Sequence, residues 1–149
     1  MRHRVFTYIT RDQELLIFDH VDQRYLDPQI PGGTVEPAEQ PKAAALREAH
    51  EETGLVSLEI ISFLGDFETD LTPLGRQEQI HAWFYHLETR DKTPSLWRHF
   101  EQHRSENPRS SDRNEPIEFE LYWVPIREVP KLGGLDNTML YKVREAIIE

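Results

Sequence analysis

The chain has 149 residues, a formal net charge of −10 and no cysteine. A single domain spanning 1–149 is expected, and at this length it buries about two-thirds of its unfolded surface. The missing cysteines exclude disulfides, thiol chemistry and Cys-based zinc sites, and the negative charge argues against long nucleic acids and anionic membranes as partners. No apolar run approaches the ~18 residues of a membrane span. The Met1-Arg2-His3-Arg4 start carries no signal-peptide pattern. A cytoplasmic protein acting on small molecules is the expectation.

Arg4 to Thr10 is rich in β-branched and aromatic residues and predicts a strand. Arg11-Asp12-Gln13 is a polar turn, and Glu14 to His20 is its hairpin partner. Val21 to Asp27 reads as a polar loop, with Arg24 and Tyr25 solvated. Pro28-Gln29-Ile30-Pro31 is then held extended, since a residue before proline avoids the helical region. It enters a predicted Gly32-Gly33 turn, where two glycines allow a tight bend and close approach to a bound group.

Lys42 to Thr53 is built of strong helix formers. Pro41 suits the first helical position and Gly54 the left-handed position just past the end. Glu48, Glu51 and Glu52 then stand at i, i+3 and i+4 on one face. Such like charges repel by a few tenths of a kcal/mol per pair, and Arg47 offsets part of this through Glu51. A hard cation such as Mg²⁺ would turn the repulsion into coordination. Taken alone, Glu51-Glu52 would read as a solvated acidic helix, the default for glutamate.

The stretch from Gly33 to Leu55 changes that reading. Gly33, Glu39, Arg47-Glu48, apolar Ala49, Glu51-Glu52 and Gly54-Leu55 fall in the pattern G-x5-E-x7-R-E-U-x-E-E-x-G-U, with U apolar. A chance match costs roughly 10⁻⁸ to 10⁻⁷ per starting position. The pattern resembles, without a gap, the signature of the Nudix (MutT-like) hydrolases.

Val56 to Thr69 reads as a long strand with a bulge or bend at Gly65. Asp70 to Gln77 is a loop, and Glu78 to Glu88 is a further strand. His81 and His86, five apart, face opposite sides of that strand and make poor joint metal ligands. The basic stretch 90–116 reads as an insertion or lid. Within it a short amphipathic helix is predicted around Ser95 to Arg104, with Trp97 and Phe100 as anchors, followed by a turn-rich piece from Ser105 to Pro116. A long loop of this kind is either functional or disordered, and its positive charge favours a phosphate-facing lid. Ile117 to Ile126 alternates as the last strand, with Glu118, Glu120 and Tyr122 on one face. Asn137 to Ile148 closes as an amphipathic helix burying Met139, Leu140, Val143, Ile147 and Ile148.

The resemblance implies an α/β fold, the Nudix α/β/α sandwich with a mixed central sheet and a loop-helix-loop site. It implies hydrolysis of a pyrophosphate bond in a nucleoside diphosphate linked to another moiety, by attack of water at phosphorus. Mg²⁺, with Mn²⁺ as the alternative ion, would be held by Glu48, Glu51, Glu52 and the Gly32 carbonyl. Arg47 would orient a carboxylate, Gly33 and Gly54 would support the geometry, and Glu39 would support it too or bind a further ion. The base is a glutamate of the motif, Glu48 or Glu51, or a later one: Glu118, then Glu115 or Glu120. No residue is legible as substrate-binding, and the chain reads as a monomer or homodimer. Two rivals stand beside this. A silent nucleotide-sensing module on the same fold would be expected to lose motif carboxylates, and none is missing. A hydrolase or isomerase of a non-nucleotide diphosphate is compatible with the motif.

Overall fold

Strands β1 (Arg2–Arg11) and β2 (Glu14–His20) form the expected hairpin, yet only Thr10↔Leu15 and Arg11↔Glu14 pair across it. Beyond those pairs the strands part, and residues 28–34 fill the gap. Phe18 and Gln29 exchange both backbone hydrogen bonds, at 2.9 and 3.0 Å. The Pro31 carbonyl accepts both the Thr7 N–H and the Thr7 hydroxyl, each at 2.8 Å. Strand β3 (Gly32–Thr34) then runs antiparallel to β1, with Phe6↔Gly32, Val5↔Gly33 and Arg4↔Thr34.

This corrects one expectation. Gly32-Gly33 is a strand, and neither glycine has a positive φ. Glycine is required here for closeness: a Cβ on Gly32 would overlap the Val5 carbonyl, and one on Gly33 the Glu48 carboxyl.

The computed structural model describes residues 1–101 and 116–148. Strands β4 (Leu58–Asp70), β5 (Gln79–Thr89), β6 (Leu96–Phe100) and β7 (Glu118–Pro125) complete a seven-stranded sheet. Its order is β4-β5-β1-β2-β7-β6, with β3 on β1. The β1–β5 pair is parallel and the other pairs are antiparallel, so the sheet is mixed. Gly65 lies at a register shift in β4 with φ 141°, the bend its position predicted.

Alternation along β1 and β2 loads both faces of the sheet. Val5, Ile9 and Leu16 pack against Ala44, Ala45 and Ala49 of helix α1 (Pro41–Thr53). Phe6, Tyr8 and Ile17 pack against Leu140 and Val143 of helix α2 (Leu140–Ile147). The result is the expected α/β/α sandwich. Met139, Ile147 and Ile148 are only partly buried against that second cluster. No helix among the described residues is long and apolar enough to cross a membrane.

The amphipathic helix predicted around Ser95 to Arg104 is instead β6, antiparallel to β7 through Trp97↔Leu121 and Phe100↔Glu118. Trp97 turns toward the α1 side and its indole N–H donates to the Thr53 carbonyl at 3.1 Å. Phe100, on the other side, is 52% exposed. Spacing of three fits an aromatic pair on a helix, but in the strand it separates the two faces. Most of the turn-rich piece from Ser105, and Glu115 with it, lies outside the described residues.

Candidate active site

Helix α1 is local in origin and tertiary in placement. Pro41 stands at its first position, and Gly54 ends it at φ 80°, its N–H donating to the His50 carbonyl at 2.8 Å. The Glu51 carbonyl near that end accepts from His99 Nε2 of β6 at 2.9 Å. Alanines at 44, 45 and 49 bring the helix close to the sheet, and that closeness buries the acidic face along with them. Glu48, Glu51 and Glu52 are 2%, 7% and 7% exposed. The solvated acidic helix is therefore excluded.

Arg47 ties this face together. Its Nε and Nη2 donate to both Glu39 oxygens at 2.8 and 2.9 Å. Nη1 reaches Glu48 at 2.8 Å and Glu51 at 3.2 Å, and Nη2 also donates to the Thr34 carbonyl at 2.9 Å. The hydrogen bonds to Glu39, with Glu48 adding to them, raise the Arg47 pKa further despite partial burial. Glu39 also accepts the Glu36 N–H at 2.9 Å, closing the loop between β3 and α1.

Glu48 and Glu52 line a cleft of about 680 Å³ together with Gly32, Gly33, Arg4 and Asp136. Glu52 accepts the Gly32 N–H at 2.7 Å. Burial pushes the Glu52 carboxyl well above the ordinary carboxylate range and Glu101 adds to this, against the pull of the Gly32 N–H and Arg4. Glu51 does not line the cleft; it faces Arg47.

Glu118 and Glu120 sit elsewhere. Their neighbour Phe119 lines the cleft, and on a strand alternate side chains take opposite faces. Glu120 pairs with Arg24 at 2.8 Å and with Arg98 at 3.4 Å, and Glu118 approaches Arg98 at 3.8 Å. Arg24 is thus engaged, whereas Tyr25 is 80% exposed.

Two buried acids of the cleft carry no motif in the sequence. Glu101, 7% exposed, follows β6 directly, and its N–H donates to the Ile117 carbonyl at 2.8 Å. Reading Leu96 to Phe100 as an alternating strand would have pointed to it. Asp136, also 7% exposed, accepts the Ile30 N–H at 2.8 Å. Burial pushes its carboxyl up to about 7, opposed by the Ile30 N–H and Arg4.

The donor set suits a hard cation: Glu48, Glu52, Glu101 and the backbone at Gly32 offer oxygen only, as Mg²⁺ and Mn²⁺ prefer. Among the described residues no three acid or histidine side chains converge as a ready-made cage. The Gly32 N–H and Arg47 hold oxygens that an ion would compete for.

A mixed sheet between two helices, with a buried run of helix carboxylates facing a glycine strand, defines a family of α/β/α proteins built around one loop-helix-loop. The NUDIX domain model matches residues 1–143, and the chain belongs to that family. It is 43% identical over 56 residues to Nudix hydrolase 25 of Arabidopsis thaliana, covering 37% of this chain and 32% of the plant protein. The chain thus spans about a third of the length of that curated relative. Among solved structures it resembles a UDP-X diphosphatase (TM-score 0.65, 19% identity, 97% of this chain and 63% of that one). It also resembles a MutT NUDIX hydrolase from Burkholderia pseudomallei (TM-score 0.63, 20% identity, 95% of this chain and 97% of that one). At such identities the structural likeness speaks for the fold.

Proposed function

We propose that the chain is a metal-dependent Nudix pyrophosphohydrolase acting on a nucleoside diphosphate linked to another moiety. The observation that carries this reading is the burial of Glu48 and Glu52 in the cleft, against a strand whose two glycines leave no room for side chains.

Glu48, Glu52 and the Gly32 carbonyl would hold Mg²⁺ or Mn²⁺ in the cleft, with Glu101 as a further donor; Glu51, held by Arg47 outside the cleft lining, would join them only by turning from that hydrogen bond. When bound, the ion supplies neutralisation of phosphate charge and acidifies a water. Arg47 keeps Glu48 and Glu51 oriented, and Glu39 keeps Arg47 in place. Gly33 leaves room for the Glu48 carboxyl, and Gly54 ends the helix where Trp97 and His99 pack. Attack of water forms a new P–O bond as the bridging P–O bond breaks. Of the two motif acids expected as the base, Glu48 lines the cleft and takes the water proton. Glu118, engaged with Arg98 on the other face of β7, is left out of that role. Arg2, Arg4 and Arg76 line the same cleft and offer positive charge to the phosphates.

Incubation with a panel of nucleoside diphosphate conjugates and Mg²⁺ or Mn²⁺ tests the proposal. Release of a phosphomonoester product that stops with EDTA is expected. Release unaffected by EDTA overturns the mechanism.

A further inference from the structure

We infer that Asp136 is a positioning residue for the carboxylate site, fixing the strand segment that carries Gly32. The inference rests on the functional reading above.

Because β2 parts from β1, Pro31 and Gly32 meet β1 on one edge only. The chain crosses over here, with Gln29 bonded to Phe18 of β2 and Pro31 to Thr7 of β1, which leaves the N–H groups of Ile30 and Gly32. No strand receives them. The Asp136 carboxylate takes the first at 2.8 Å and the Glu52 carboxylate takes the second at 2.7 Å. Between them the Pro31 carbonyl is pinned from the opposite edge by the Thr7 N–H and hydroxyl. Asp136 and Glu52 thus hold amides two residues apart, and moving the first shifts the backbone offered to the second.

Asp136 is itself held firmly. The Tyr8 hydroxyl donates to the Asp136 carbonyl at 2.6 Å and accepts the Met139 N–H at 3.1 Å. The Asp136 N–H donates to the Gly133 carbonyl at 3.0 Å, while the Gly133 N–H donates to the Pro28 carbonyl at 2.9 Å. Residues 28–30 are thus clasped to the loop before α2 at both ends. Tyr8 is fully buried on the α2 side, so the clasp is anchored in the core and not in the cleft wall alone.

The test compares Asp136→Ala, Asp136→Asn and Tyr8→Phe with the intact wild-type chain. Readouts are Mn²⁺ affinity from the free-ion EPR signal, hydrogen exchange across residues 28–34, and kcat and KM on the best substrate. Asp136→Ala is expected to weaken Mn²⁺ binding by roughly tenfold or more, the scale typical of residues that orient ligands. Exchange at 28–34 rises, and kcat falls more than KM changes. Asp136→Asn keeps an acceptor oxygen for Ile30 and restores most of both. Tyr8→Phe loosens the anchor and moves the same readouts less, and it decides the matter if Asp136→Ala does not fold. Wild-type Mn²⁺ affinity in Asp136→Ala, a change confined to KM, or an Asn variant no better than Ala overturns the inference. A wild-type chain that neither binds Mn²⁺ nor hydrolyses any substrate overturns the functional reading instead.

Discussion

Glu52 accepts the Gly32 N–H at 2.7 Å, joining the last acid of α1 to the glycine strand across the floor of the cleft. Glu52→Gln keeps an acceptor for that N–H and removes a buried charge that burial and Glu101 both disfavour. The fold is expected to stand, with a melting temperature equal to or above the wild type. Activity falls by about 10³-fold or more, because an amide is a poor ligand for a hard ion. Near-normal turnover at saturating Mg²⁺ would remove Glu52 from the metal site.

Arg47 serves four groups at once: Glu39, Glu48, Glu51 and the Thr34 carbonyl. Lysine has no planar fork and serves only some of them. Arg47→Lys therefore leaves part of a buried acidic set uncompensated, at a cost of about 3 kcal/mol. Urea unfolding measures this, and an unchanged midpoint shows that Arg47 is not the hub.

Gly33→Ala sets a methyl against the Glu48 carboxyl. Relief requires a backbone shift or an expelled carboxylate, costing about 1–3 kcal/mol and most of the activity. Gly65→Ala, outside the cleft, is the control. Its φ of 141° strains an alanine and the new methyl first meets the flexible end of Met139 at 3.1 Å, so stability drops by about 1–2 kcal/mol and turnover is kept. Equal activity in the two variants would deny the close approach its functional role.

Glu101→Gln and Glu118→Gln separate cleft from surface. The first removes a buried acid beside Glu52; the second removes a charge facing Arg98. Glu101→Gln is expected to raise the Mg²⁺ concentration needed for half-maximal activity and to alter the pH profile, with Glu118→Gln unchanged in both. The opposite ranking would return the later catalytic glutamate to β7.

Asp136 gives a pH prediction. Its carboxyl rises from an ordinary 3.8 to about 7 on burial, so the folded state holds the proton more tightly than the unfolded chain. The linked stability is fully present below about pH 4 and is lost as pH rises through 7. Asp136→Asn abolishes that dependence. The variant should therefore gain on the wild type between pH 4 and 7, by up to a few kcal/mol. Parallel stability curves over that range would refute it.

What depends on neighbours along the chain can be read from the residues alone. Pro41 and Gly54 bound a helix of alanine and glutamate, alternation marks β1, β2, β5 and β7, and Gly65 marks a bulge, because capping, propensity and pleat are local. The ungapped run from Gly33 to Leu55 was sufficient for the family. Spacing alone also put three carboxylates on one face of a helix. Burial of this face comes from packing, since three alanines draw it onto the sheet and no local rule says which sheet or how close. Trp97 and Phe100 misled for the same reason: three residues apart suits either a helix or a strand, and pairing with β7 chose the strand. That choice, in turn, delivered Glu101 to the cleft and turned Glu118 away from it. Asp136 meets Ile30 across 106 residues of chain, a contact that exists only because β1 and β2 part and leave a strand edge for distant acids to cap.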